Sequence, residues 1–107
     1  MSAENEPKIR KARRVALRCP MGFSSGEIEG DVTITNISTS GCRAESDINM
    51  VEGLDVRVIL QLPKQSPSVK VERASVRWVS GNAFGLSFFL FFPSEQARLH
   101  TFLEHVK

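Results

Sequence analysis

Leu54-Asp55-Val56-Arg57-Val58-Ile59-Leu60-Gln61-Leu62 alternates with a period of two. Leu54, Val56, Val58, Leu60 and Leu62 share one face, and Asp55, Arg57 and Gln61 share the other. An extended chain sends successive side chains to opposite faces, so this stretch reads as a half-buried strand, the clearest in the sequence. Upstream, Val15, Leu17 and Cys19 alternate in the same way and predict a strand over residues 15–19. Pro20, Gly22, Ser24, Ser25 and Gly26 then predict a loop. A second strand is expected over 28–34, with Ile28, Val32 and Ile34 inward and Glu29, Asp31 and Thr33 outward. A turn over 36–41 leads into a short strand at 42–45, and residues 49–53 connect that strand to the Leu54 run.

Downstream, residues 63–68 read as a loop. The next run begins with Val69 and Val71 on one parity and continues with Ala74, Val76 and Trp78 on the other. Such a switch predicts a β-bulge near Glu72-Arg73. Gly81-Asn82 is a hairpin signal that joins this strand to one over about 84–92. After Pro93, Ser94 is placed to cap a helix over about 94–106, with Leu99, Phe102, Leu103 and Val106 at i, i+3, i+4 and i+7. We expect that stripe to cover the outward phenylalanines of the last strand. The alternative is that Phe89 and Phe91 form a surface for a partner or a second copy. Six short strands and one terminal helix make a mainly β protein, either a small antiparallel barrel or a strongly bent sheet.

The chain has 107 residues, enough for one domain with a real core. We expect a mobile tail over 1–8 and a single domain over 9–107. Its hydrophobic share of 41% and charged share of 24% are ordinary for a globular protein. A net charge of +2 does not favour general coating of polyanions, but its distribution is uneven. Lys8, Arg10, Lys11, Arg13, Arg14 and Arg18 hold six of the fourteen basic residues within eleven positions, which points to an anionic partner near this end. There is no apolar run of the length a signal peptide or a membrane span requires. Cys19 and Cys42 lack metal-ligand spacing and sit in apolar runs, so both read as buried reduced thiols of a cytoplasmic protein.

Catalysis is hard to build from these residues. His100 and His105 lie five apart on the predicted helix, about 140° around its axis, and do not converge. No nucleophile elbow, phosphate loop, carboxylate dyad or Cys-x-x-Cys is present. The expectation is a binding module, not an enzyme, without a metal or resident cofactor. The turn Asn36-Ile37-Ser38-Thr39-Ser40-Gly41 offers an amide and hydroxyls, with a glycine that lets a backbone or ring come close. The arginines have two readings: a solvated tail that touches nucleic acid without preference, or bidentate donors for phosphates and the O6/N7 edge of guanine.

Arg10-x-x-x-Arg14, followed after a strand and its hairpin partner by Asn36-x-Ser38-x-x-Gly41, resembles the two-part signature of the PilZ domain family. Ala74-x-Val76-x-Trp78-Val79 and Phe84-Gly85-Leu86-x-Phe88 resemble the family's final hairpin, so the likeness runs from about Arg10 to Phe88. The resemblance implies a six-stranded antiparallel β-barrel with a C-terminal α-helix, and a receptor for the bacterial second messenger cyclic di-GMP. Carried over, Arg10 and Arg14 hold phosphates and guanine edges on a flexible segment that closes over the ligand. Asn36 and Ser38 contact a guanine, and Gly41 keeps the turn open. Arg13 and Trp78 are further candidate contacts; for Trp78 the competing reading is an inward core side chain. Arg43 and Arg77 add positive potential, or simply belong to a solvated strand face.

Two departures bear on the ligand. Ile9-Arg10 stands where many members carry an arginine doublet, which leaves a single or an intercalated dimeric ligand open. Asn36 replaces the commoner aspartate and can donate as well as accept. Ordering a mobile arginine segment over a dianionic ligand is itself a signal. With no output domain in the chain, that signal is expected to reach a downstream protein and to bear on motility or biofilm. The competing expectations are a ligand-free adaptor working through the Phe89/Phe91 region and a small RNA-binding barrel. Nucleic acid is not favoured, because tyrosine is absent and the phenylalanines cluster near the helix instead of offering a stacking face.

Overall fold

The structure, a computed structural model, describes residues 14–26, 28–63 and 68–105. The predicted tail over 1–8, the candidate contacts Arg10 and Arg13, and Val106 of the helical stripe lie outside the described residues. Six strands are present: β1 (Val15–Ser25), β2 (Ile28–Ile37), β3 (Gly41–Glu45), β4 (Asp55–Leu60), β5 (Val69–Ser80) and β6 (Ala83–Leu90). They form a closed antiparallel barrel in the order β1-β2-β3-β6-β5-β4, and helix α1 (Pro93–Glu104) follows. Pairing of Met21–Ser24 with Leu60–Arg57 brings β4 back onto β1 and settles the choice between bent sheet and barrel. Closure leaves no free edge for another chain to extend.

β1 is longer than its sequence predicts. Val15, Cys19, Met21 and Phe23 are all buried, so the period-two pattern runs straight through Pro20 and Gly22. Pro20 is tolerated because of the side it faces. Its carbonyl accepts from the Gln61 N–H at 3.2 Å, beyond the last β1–β4 pair. In an extended residue the N–H and C=O point the same way, so the missing donor costs the β1–β2 ladder nothing. Ile28 also departs from expectation. It pairs with Ser25 at the hairpin tip, past the last core layer, and is exposed.

Bulges on β5 and β2 set which side chains face out. The predicted bulge on β5 is present, since Val56 pairs with Ala74 and Val58 with Val71, leaving Glu72 and Arg73 opposite a single residue. It keeps Val69, Val71, Ala74 and Val76 all inside. A second irregularity follows: Val76 pairs with Leu86 but Trp78 pairs with Gly85. The extra residue reverses the parity, so Trp78 leaves the core face and is 41% exposed. β2 carries the equivalent device, because Ile34 pairs with Ala44 and Asn36 with Arg43. Ile34 and Ile37 both stay buried, and Asn36 turns outward.

The core is filled by Met21, Ile34, Ile37, Val58, Leu60, Val69, Val71, Val76 and Phe84, with Leu99 and Leu103 added from α1. Ser94 does not cap this helix. Phe92 holds the N-cap position without a side-chain hydrogen bond, and Pro93 opens the first turn, where its missing N–H is no loss. Glu95 Oε1 accepts from the Lys70 N–H at 2.9 Å and from Arg98 at 3.2 Å, and Arg98 also donates to the Ser68 carbonyl at 3.2 Å. These bonds tie α1 to the start of β5, not to the outer face of β6. Phe91 therefore packs edge-on against Phe88, with centroids 5.9 Å apart. The expected cover over Phe89 does not form: Phe89, Leu90 and Phe92 are 53%, 52% and 58% exposed.

Candidate functional site

The β2 bulge and the second β5 bulge place one row of residues across the outer surface. Ala16 pairs with Asn36, Asn36 with Arg43, Arg43 with Gly85, and Gly85 with Trp78. Arg14, at the entrance to β1, donates from Nη1 to Asn36 Oδ1 at 3.0 Å. An open groove of about 520 Å³ follows this row, lined by Arg14, Asn36, Ser40, Cys42, Arg43, Arg77, Trp78, Gly85, Leu86 and Ser87. Its size lies within the roughly 300–1,000 Å³ usual for small-molecule sites.

Of the residues singled out in the sequence, Arg14, Asn36 and Trp78 meet here. Ser38 and Gly41 play a different part in the geometry. Ser38 is 1% exposed. Its N–H donates to the Gly41 carbonyl at 2.8 Å, and its Oγ accepts from the Ser40 N–H at 3.1 Å. The same hydroxyl lies 3.3 Å from the Gly41 carbonyl, to which it donates, so its capacity is used inside the turn. A Cβ on Gly41 would overlap the Leu86 carbonyl oxygen, so the glycine lets β3 lie close against β6. Together they hold the turn that carries Asn36 and Ser40 to the rim.

Arg43 and Arg77 were harder to assign from sequence. Both line the groove. Arg43 Nη1 donates to Thr35 Oγ1 and to Glu45 Oε2, each at 2.9 Å, while Glu45 Oε1 faces Arg18 at 3.6 Å. Arg77 has no ion-pair partner among the described residues. The available signal was pairing: Arg43 follows Cys42 on the opposite parity, and once Cys42 is inside, Arg43 must face out beside Asn36. Arg77 follows the buried Val76 on the opposite parity and faces out in the same way; that Trp78 joins it outside depends on the second bulge.

Among the described residues, three arginines therefore line the groove and no carboxylate does. Two other grooves, of about 350 and 420 Å³, include Glu29 and Asp31 or Asp55 and Glu72 in their walls, which disfavours an anionic ligand there. Cys42 lies beneath the rim as a free, buried thiol. Burial pushes it up to about 12, with the Arg14 charge pulling the other way and Cys19 adding a smaller rise. Cys19 is raised by burial too. Neither is a ready nucleophile, and the lining holds no histidine or carboxylate to act as a base. No group of three potential metal ligands occurs among the described residues. His105 Nδ1 sits 2.8 Å from the Thr101 carbonyl and His100 Nδ1 3.8 Å from Glu104, both away from the groove.

Barrel, terminal helix and this outward row define a class. A PilZ domain model matches residues 8–105, and the chain belongs to the PilZ domain family, a family of cyclic di-GMP-binding effectors. The fold is similar to that of the Bacillus subtilis inhibitor of motility, MotI/DgrA, with a TM-score of 0.73 and 19% identity over 94% of this chain. This chain spans 55% of that protein's length. It is also similar to the PilZ domain of CeSA from a cellulose-synthesising bacterium, with a TM-score of 0.68 and 12% identity over 87% of this chain and 99% of that one. No curated protein matches. Among the described residues, no helix is long and apolar enough to cross a membrane.

Proposed function

We propose that this chain is a cyclic di-GMP receptor that binds its ligand in the groove beside Trp78. One observation carries the reading: Arg14, Arg43, Arg77, Asn36 and an exposed indole converge on one groove, with no carboxylate among its described lining residues. A ligand with two phosphates and two purines needs cations, a hydrogen-bonding edge and a flat apolar platform, and this groove supplies each. Arg10 and Arg13 complete the arginine segment by family analogy. Binding competes with the Arg14–Asn36 hydrogen bond, so the ligand reorganises the segment that enters β1. That change is the signal, read by a downstream protein in the cytoplasm. One structural neighbour is an inhibitor of motility, which makes motility the first behaviour to assay, ahead of biofilm.

Calorimetric titration with cyclic di-GMP, using cyclic di-AMP as control, tests the receptor reading. The expected result is saturable binding of cyclic di-GMP alone, lost in Arg14→Ala, with the stoichiometry distinguishing a single from a dimeric ligand. Absence of heat and of any ligand-induced rise in melting temperature overturns it. The exposed Phe89, Leu90 and Phe92 favour one further reading, a protein-contact face. A Phe89→Ser, Phe92→Ser double variant that binds ligand normally and no longer affects swimming would support that face as the route of output.

A further inference from the structure

Arg43 stands outward on β3 between Asn36 and Gly85, with the Trp78 indole lying over that glycine. A guanidinium carries five N–H bonds, two on each Nη and one on Nε. Both on Nη1 are engaged, by Thr35 and by Glu45. The three on Nη2 and Nε have no partner among the described residues. What remains is the side-on fork that takes two adjacent acceptors in parallel.

The charge of Arg43 is offset in part by Glu45, which Arg18 shares at 3.6 Å, whereas Arg14 and Arg77 have no carboxylate partner among the described residues. The unpaired arginines suit phosphates. An arginine partly offset and held at two points is a weaker general attractor for anions than an unpaired one, but a well-oriented reader of a neutral edge. The edge beside Trp78 is that of whatever ring stacks on the indole.

We infer that Arg43 is a specificity-determining residue, which presents its Nη2–Nε edge to the O6 and N7 acceptors of a guanine stacked on Trp78. The assignment rests on the receptor reading above. Guanine offers two adjacent acceptors there, while adenine offers one acceptor and an amino donor that would meet the guanidinium donor to donor.

The test is a double-mutant cycle between protein and ligand: wild type, Arg43→Ala and Arg43→Lys, each titrated with cyclic di-GMP and with its 7-deazaguanine analogue. Replacing N7 by C–H removes one of the two acceptors and leaves both phosphates intact. Wild type is expected to bind the analogue roughly tenfold more weakly, and in Arg43→Ala the penalty falls toward one. Arg43→Lys keeps the charge without the fork and behaves like the alanine variant. An equal penalty in wild type and Arg43→Ala, or full rescue by lysine, overturns the assignment and leaves the receptor reading standing. Failure of the wild type to bind cyclic di-GMP overturns both. Melting temperatures confirm that each variant is folded.

Discussion

The indole of Trp78 lies so close over Gly85 that any Cβ there would sit inside contact distance of Nε1 and Cε2. Gly85→Ala should therefore displace the ring without disturbing the inward side of β6. The chain has a single tryptophan, so the displacement is read directly as a shift in its emission, with weaker cyclic di-GMP binding alongside. Gly41 faces a harder neighbour, the Leu86 carbonyl, which cannot swing aside as a side chain can. Gly41→Ala should cost about 1–3 kcal/mol through overpacking, measured by urea unfolding. The burial of Cys42 makes a third prediction. Its folded value of about 12 lies above its ordinary value of 9.0, so the folded state holds the proton that the unfolded chain releases. Its contribution is complete below pH 9 and is lost as pH rises toward 12, so stability should fall over that window. Cys42→Ala should flatten this alkaline limb in melting curves taken across it.

Strands and helix differ in how openly the sequence declares them. The alternation of Val56, Val58, Leu60 and Leu62 is a property of neighbours two apart, and it survives unchanged in the fold. The parity switch around Glu72-Arg73 is likewise legible, because both halves of the run are apolar enough to show their phase. The second bulge is not, since Arg77, Trp78 and Val79 carry no alternation to betray a reversal, and only pairing with Gly85 and Leu86 reveals it. Deleting Arg77 should remove that bulge and leave Trp78 directly after Val76, still opposite Gly85 on the outward face. The expected result is a tryptophan emission that keeps its position, with weaker cyclic di-GMP binding because the groove has lost one cation. The helix is anchored more simply. Leu99→Ala empties a fully buried site, at a cost of about 2–5 kcal/mol by urea denaturation. Ser94 looked like a cap because it follows the last strand, but Pro93 takes the first helical position and shifts the boundary by one residue.

Strand order makes the groove a property of the whole molecule. Its walls come from the entrance to β1 and from β2, β3, β6 and β5, which are consecutive neighbours in the sheet although they lie far apart in sequence. The helix helps by what it leaves open: held by Glu95 and Arg98 at the start of β5, it plugs the core and keeps clear of the outer face of β6. That is why Phe89 stays in solvent although an apolar stripe lay close by in sequence. Most strand positions, the turn over 36–41 and the family signature were present in the sequence alone, because side-chain alternation, turn chemistry and motif spacing are local; the extension of β1 through Pro20 was not. The tertiary structure alone decided that Ser38 turns inward, that Trp78 turns outward, and that Arg43 and Arg77 join Arg14 and Asn36 in one groove. Each of those outcomes depends on strand register and bulges, and register is set by pairing between segments far apart in the chain.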